Sequence, residues 1–295
     1  MQQLRTNGAR VVVLVMALAM MSLAQAEAVW PRVATSSDGT PIAYEVHGAG
    51  EPTLVFVHGW SCDGRYWRAQ VRHFAQSHRV VVADLAGHGH SGLARKKYTM
   101  AAFAADVQAV VEAVDAEQVI LIGHSMGGPV SAQAARLMPD RVVGIVGVDT
   151  FQNVAMELTR AELDEWVDPL RADFDQAAAG FVAGMFVAET DRALVDWVVA
   201  DMSAAPAHVA ISAFEEVMSA SITGEARTVF EALPVPVVAI NADLWPTDVE
   251  ANRRHMHSFD AIIMAGTDHF LHMAHPDAFN RHLESVIADL MPGTE

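Results

Sequence analysis

Short apolar runs recur along the chain, and they are rich in β-branched residues. The runs cover residues 53–57, 79–83, 118–122, 142–148, 237–240 and 261–264. Their residues are apolar at consecutive positions rather than at alternate ones. This pattern predicts strands whose two faces are both covered, as in a parallel sheet.

Segments with helical spacing separate the first four runs. They cover residues 66–76, 100–114 and 126–137. In the second segment, Phe103, Val107 and Val110 fall on one helix face, and Thr99 stands where an N-cap is expected. Alternation of strand and helix predicts an α/β fold with a doubly wound, mostly parallel sheet.

A turn sequence precedes this alternation. Asp38-Gly39 separates residues 32–36 from residues 41–46, and an Asp-Gly pair favours the positive φ angles of a tight hairpin turn. The hairpin would add an antiparallel edge, so we expect about eight strands in all.

The alternation stops after Asp149. Residues 151–233 show only helical stretches, such as 163–170, 175–186 and 193–202, before strand signals resume at Pro234. We therefore predict an α/β core of residues 27–150 and 234–295, with a helical lid of residues 151–233 inserted after the sixth main strand. The apolar lid residues that could line a pocket are Phe151, Phe174, Phe181, Met185, Phe186, Trp197, Met202, Phe214 and Met218.

The N-terminal segment has the composition of a secretory signal peptide. Arg5 and Arg10 precede an apolar run from Val11 to about Ala24, and a small-residue motif, Ala24-Gln25-Ala26, follows. We expect residues 1–26 to be removed and the protein to be exported, to the periplasm or outside the cell. An uncleaved membrane anchor is the alternative, but the apolar run is shorter than the roughly 20 residues that a spanning helix needs.

Charge and cysteine content narrow the possible partners. The formal net charge of −17 argues against nucleic acid as a partner, because phosphate binding requires a basic surface. The single cysteine, Cys62, excludes an intramolecular disulfide, and we expect it to be a small packed side chain.

The sequence Gly123-His124-Ser125-Met126-Gly127 matches G-x-S-x-G, and it stands between a predicted strand and a predicted helix. A sharp turn in that position exposes the serine hydroxyl, and the small Gly123 and Gly127 let strand and helix approach each other. Ser125 is therefore the candidate nucleophile.

A serine nucleophile needs a base that is held by an acid. Among 14 histidines, His269 follows the last predicted strand, at the edge where parallel sheets place their sites. For the acid we rank Asp243 first, because it follows the strand at 237–240 and gives the chain order Ser, Asp, His. Asp149 and Asp248 are the alternatives, and a losing candidate would be a turn or helix-cap carboxylate.

Two backbone N–H groups are needed to bind the developing oxyanion. The residue after the nucleophile, Met126, supplies one, and Trp60 in His58-Gly59-Trp60 is the candidate for the other. The Trp60 indole is then free to shape the pocket. We expect His58 to brace this loop by hydrogen bonding rather than to act on substrate.

These motifs together resemble those of the α/β-hydrolase superfamily, in its lidded branch of serine esterases, lipases and cofactor-free haloperoxidase-like enzymes. The resemblance also rests on the D-x-x-G-x-G-x-S motif at residues 84–91 and on the segment from His269 to Pro276. It implies hydrolysis of a small-molecule acyl ester through an acyl-enzyme on Ser125, without a cofactor. Acyl transfer and perhydrolysis would use the same residues, and a serine nucleophile disfavours the sister dehalogenases and epoxide hydrolases, which use aspartate.

One departure from the family pattern concerns the acid. Family members often show Gly-x-x-Asp after the seventh strand, whereas Asn241-Ala242-Asp243 is one residue shorter and lacks the glycine. The departure concerns Asp243 and leaves the assignments of Ser125 and His269 unchanged.

Two other classes of function would use other features of the sequence. A metal hydrolase could use His88 with His90, or His269 with His272 and His275, but the usual acid ligands are missing, so we expect no metal. The plainer expectation is that His272 and His275 cap or decorate the start of the last helix. A binding protein on a hydrolase scaffold usually lacks a member of the triad, whereas this chain keeps a nucleophile, a base and candidate acids.

Overall fold

The computed structural model describes residues 31–291. The described residues from Val33 onwards belong to one compact unit. The predicted signal peptide of residues 1–26 lies outside the described residues.

An eight-stranded sheet has the order β1-β2-β4-β3-β5-β6-β7-β8. The strands are β1 (Arg32–Thr35), β2 (Pro41–His47), β3 (Thr53–Val57), β4 (Val80–Ala83), β5 (Val119–His124), β6 (Val142–Val148), β7 (Val237–Ala242) and β8 (Phe259–Met264). β2 pairs with β4 antiparallel, and the pairs from β4 through β3 to β8 are parallel. The predicted fold is confirmed.

Both faces of the central strands are buried, as their continuous apolar runs require. Within β3, Val55 belongs to the apolar core on one side of the sheet and Phe56 to the core on the other side. Neighbouring side chains on a strand point in opposite directions, so each central strand stabilises two apolar layers.

Helices cover these layers. They are α1 (Arg68–Phe74), which continues a 3₁₀ turn at Gly64–Trp67, α2 (Met100–Ala113), α3 (Gly127–Leu137), α9 (Val249–Arg253), α10 (Leu271–Ala274) and α11 (Pro276–Leu290). The predicted N-cap is confirmed, because the Thr99 hydroxyl accepts the Ala102 N–H at 3.1 Å.

The chain between β6 and β7 forms five further helices. They are α4 (Arg160–Ala172), α5 (Phe174–Ala183), α6 (Arg192–Ser203), α7 (Ala207–Thr223) and α8 (Glu225–Glu231). We call this helical insertion the lid, and its last two helices were not resolved from the sequence. Within residues 31–291, no single helix is long and apolar enough to cross a membrane, and α6 with α7 passes that test only as a pair bent by 97°.

Polar contacts attach the lid to the rest of the unit. Asp201 in α6 accepts hydrogen bonds from Arg65 at 2.5 Å and from the Tyr66 hydroxyl at 3.0 Å. The Trp60 indole N–H donates to the Ala210 carbonyl in α7 at 2.7 Å. The lid is thereby joined to the loop and the 3₁₀ turn that follow β3.

Candidate active site

Ser125 stands at the turn between β5 and α3. Its φ is 51°, in the left-handed region that side chains other than glycine rarely adopt. The Ser125 N–H still donates to the Val148 carbonyl at 3.0 Å, so the sheet ladder holds the turn. A Cβ at Gly123 would lie 2.2 Å from the Gly127 carbonyl oxygen, which explains why this close approach needs glycine.

Three of the four polar groups of His269 have protein partners. Its N–H donates to the Met185 carbonyl at 3.2 Å, and its carbonyl oxygen lies 2.8 Å from His124 Nε2. Its Nδ1 lies 2.6 Å from Asp149 Oδ2. A carboxylate can only accept, so Nδ1 carries the proton and Nε2 is left as the basic nitrogen of the neutral ring.

The acid that contacts His269 is Asp149, so the ranking that placed Asp243 first is wrong. Asp149 follows β6 directly with a φ of 43°, and its side chain is fully buried. Its N–H donates to Ile240 of β7, and its second oxygen, Oδ1, accepts the Ala242 N–H at 2.9 Å. These contacts aim the carboxylate towards the loop after β8, which carries His269.

The two other acid candidates have structural contacts instead. Asp243 accepts the Gly266 N–H at 2.8 Å in the turn after β8. Asp248 caps α9 by accepting the Ala251 N–H at 2.9 Å. They are the turn and helix-cap carboxylates expected of the losing candidates.

The amides of Trp60 and Met126 fit the predicted oxyanion hole. Within residues 31–291, neither amide N–H donates to a protein acceptor, and both residues line the same cavity as Ser125. The loop before Trp60 is braced as predicted, because His58 Nδ1 donates to the Gly59 carbonyl at 2.8 Å and His58 Nε2 accepts the Leu85 N–H at 3.0 Å. Burial lowers the pKa of His58, which keeps the ring neutral.

A cavity of about 1,400 Å³ opens at Ser125, Asp149 and His269. Of the nine lid residues predicted to form a pocket, those that line it are Phe151, Phe181, Met185, Met202, Phe214 and Met218. The others pack elsewhere: Phe174 meets the Trp60 ring edge-on at 6.2 Å, Phe186 stacks on Phe270 and Trp197 packs on Tyr66. The cavity wall is mainly apolar.

The Trp60 indole shapes this wall, as predicted. Its ring meets Phe181 at 5.9 Å and Phe214 at 5.6 Å, both edge-on. Cys62 is buried beside it and donates to the Trp60 carbonyl at 3.3 Å. Burial raises the pKa of the Cys62 thiol, which agrees with a packed side chain.

Sequence reasoning missed Trp245. This residue follows β7, lines the cavity and is 40% exposed. Its ring meets His269 edge-on, with the ring centroids 5.4 Å apart. A tryptophan in a loop after a strand carries no signal that would place it over a histidine 24 positions later.

Ser125 and His269 share the cavity without a direct hydrogen bond. Within residues 31–291, Ser125 Oγ has no hydrogen bond to the imidazole. Catalytic hydrogen bonds of this kind often tighten only when substrate is bound.

Behind His269 lies a buried group of aromatic rings, His124, His272 and Trp67. The His124 and His272 centroids are 4.6 Å apart, and so are those of His272 and Trp67. His272 is fully buried, so the expectation that it decorates the last helix is wrong. Burial lowers the pKa of His124 far below its ordinary value and that of His272 to about 3, so both rings stay neutral.

The candidate metal-ligand histidines do not form a metal site among the described residues. Among residues 31–291, no group of three or more His, Cys, Asp or Glu side chains is placed to hold a metal ion. His88 is buried, with its Nδ1 3.0 Å from the Ala86 carbonyl.

Comparison with known proteins gives the family. A sequence profile of the alpha/beta hydrolase fold matches residues 52–195. The non-heme chloroperoxidase of Streptomyces lividans is 35% identical over 202 residues, which are 62% of this chain and 73% of the relative. The chain therefore belongs to the α/β-hydrolase family.

Solved structures agree on the fold. An esterase from Exiguobacterium antarcticum gives a TM-score of 0.78 at 19% identity, covering 86% of this chain and 98% of its own. A bromoperoxidase from Bacillus anthracis gives 0.74 at 21% identity, covering 87% and 99%. The solved structures that share this fold thus include an esterase and a bromoperoxidase.

The buried neutral histidines predict how stability depends on pH. In the unfolded chain a histidine has a pKa of about 6.5, so below that pH the unfolded state binds protons that the folded state does not, and stability falls as the pH falls. His272→Gln should make the free energy of unfolding less dependent on pH between pH 6.5 and 4, by up to about 1.4 kcal/mol per pH unit. Urea unfolding at each pH measures it.

The control is His257→Gln, which removes an exposed histidine. Its stability curve should run parallel to that of the wild type. An unchanged slope in His272→Gln would contradict a buried neutral His272.

Proposed function

We propose that the protein is a serine hydrolase that cleaves carboxylic esters through an acyl-enzyme on Ser125. The observation that carries the proposal is the 2.6 Å contact between Asp149 and His269, which leaves His269 Nε2 as a base in the cavity that exposes Ser125. In this proposal Asp149 holds the tautomer, and His269 takes the serine proton.

The first step adds Ser125 Oγ to the acyl carbon while its proton moves to His269. The carbonyl oxygen becomes an oxyanion, which accepts hydrogen bonds from the Trp60 and Met126 amides. When the tetrahedral intermediate collapses, the alcohol leaves with the proton from His269. Water then attacks the acyl-enzyme by the same route and releases the acid and free Ser125.

The size and lining of the cavity support the proposal of a substrate with a large apolar part. Its volume of about 1,400 Å³ exceeds that of common small-molecule pockets, roughly 300–1,000 Å³. Aromatic and methionine side chains of the lid form much of its wall. We also propose that the protein is exported, because residues 1–26 have the composition of a secretory signal peptide.

A second candidate, perhydrolysis, is favoured by the 35% identity to a non-heme chloroperoxidase. Hydrogen peroxide would replace water: its oxygen bonds to the acyl carbon, the bond to Ser125 Oγ breaks, and a peracid leaves. We expect the wild type to form peracid from an ester and hydrogen peroxide, measured by oxidation of bromide. Absence of peracid while ester hydrolysis proceeds would reject this candidate.

Ser125→Ala should lower kcat for p-nitrophenyl esters by at least about a thousandfold, because the nucleophile is lost. Labelling by a fluorophosphonate probe should also disappear. Ser203→Ala, whose hydroxyl bonds only within its own helix, is the matched control and should behave as the wild type. Substantial turnover by folded Ser125→Ala would sink the proposal.

Asp149→Asn should lower kcat by on the order of 10⁴, because an amide no longer fixes the tautomer or stabilises the imidazolium. Asp243→Asn should leave kcat within about threefold, since its amide oxygen still accepts the Gly266 N–H. Steady-state kinetics of the two variants decides between the acids. The opposite pattern of losses would reinstate Asp243.

A further inference from the structure

The lid contacts the histidine loop at three consecutive residues. We call residues 185–190, between α5 and α6, the clamp segment. His269 N–H donates to the Met185 carbonyl at 3.2 Å, and the Thr190 hydroxyl donates to the Asp268 carboxyl group. The Phe186 ring stacks on Phe270, with centroids 4.9 Å apart and planes 18° apart.

Loss of the hydrogen bond between Thr190 and Asp268 would be energetically costly. Asp268 is fully buried, and its other carboxyl oxygen accepts the Phe270 N–H at 2.8 Å. Without the Thr190 hydroxyl, one oxygen of a buried carboxyl group would lose its side-chain donor, which is costly inside a protein. The buried carboxyl therefore fixes both the turn at His269 and the end of the clamp segment.

We propose that the clamp segment positions His269, with Thr190 and Asp268 as positioning residues, so that the lid sets the reactivity of the base besides covering the pocket. This inference rests on the proposed function. The backbone of His269 is held by the lid at its N–H and by His124 at its carbonyl oxygen. Loosening one hold shifts the imidazole relative to Ser125, and a displacement of about 1 Å can cost on the order of 100-fold in rate.

Mutations in the lid would change different kinetic constants, depending on whether the lid only covers the pocket or also positions the base. Loss of cover weakens binding of the substrate and raises KM. Loss of position lowers kcat at saturating substrate, because the misplaced base affects the transition state more than the bound substrate.

Thr190→Val removes the hydroxyl and keeps the shape of the side chain. We expect kcat for a p-nitrophenyl ester to fall about tenfold, with KM within about twofold of the wild type. Thr190→Ser keeps the donor and should restore most of kcat. The control Thr223→Val removes an exposed lid hydroxyl that donates to the Ala220 carbonyl in its own helix and accepts the Glu225 N–H, and it should match the wild type.

A readout that does not depend on turnover is the low-field NMR signal of the His269 Nδ1 proton, which lies in the hydrogen bond to Asp149. We expect Thr190→Val to shift or broaden this signal, while Thr190→Ser and Thr223→Val leave it in place. A fall in Tm with an unchanged signal and unchanged kcat would show a merely structural contact and overturn the inference. A rise in KM alone would overturn it too, since it would mean that the segment only covers the pocket.

Fluorophosphonate labelling separates the two possible failures. If the wild type is not labelled, the proposed function fails, and the inference fails with it. If wild type and Thr190→Val are labelled at the same rate and share one kcat, only the inference fails. Slower labelling of Thr190→Val, with the Thr190→Ser rate near that of the wild type, supports both.

Discussion

The geometry of the site depends on how the parallel strands β5 and β6 end. Ser125 follows β5 and Asp149 follows β6, and each donates one more ladder hydrogen bond to the neighbouring strand. Each then turns into the left-handed region, with φ of 51° and 43°. Such a conformation costs of order 1–3 kcal/mol for a residue other than glycine, and it persists where the surroundings over-determine it. The last hydrogen bonds of the sheet provide that support, and they fix where both side chains point.

His269 is placed differently, because no ladder hydrogen bond holds it. Its position comes from three separate elements: the carboxylate after β6, the buried ring of His124 and the carbonyl of Met185 in the lid. The proposed nucleophile is thus set by local backbone geometry, whereas the proposed base is set by contacts between parts that are distant in sequence. A perturbation far along the chain can therefore reach the base while the nucleophile stays in place.

Features with local physical causes could be predicted from the sequence. The strands at 53–57 and 142–148 were predicted with their observed bounds, and Thr99 was recognised as an N-cap. The turn at Ser125 was predicted because Gly123 and Gly127 flank the serine, and such small residues let the strand and the helix approach each other closely. The loop brace at His58 followed from its place beside Gly59, and the structure confirms both of its hydrogen bonds.

Features that depend on tertiary packing could not be predicted. Asp149 and Asp243 both end strands, and only the direction of the carboxylates distinguishes them. The missing glycine at residues 241–243 was the one available signal against Asp243. His272 was expected at the start of the last helix, yet it packs between Trp67 and His124. The lid contacts of Met185 with His269 and of Thr190 with Asp268 join residues about 80 positions apart. The hydrophobic pattern of a sequence does not predict such pairs.

The acceptor of the Trp60 indole has a consequence for how this fold can diversify. That acceptor is the main-chain carbonyl of Ala210, and the acceptor of the His269 N–H is the main-chain carbonyl of Met185. Every amino acid supplies a main-chain carbonyl, so the links survive exchange of the side chains at both positions. Met185 also lines the cavity. The pocket can therefore change its selectivity by point mutation while the connection between lid and reactive centre is inherited intact.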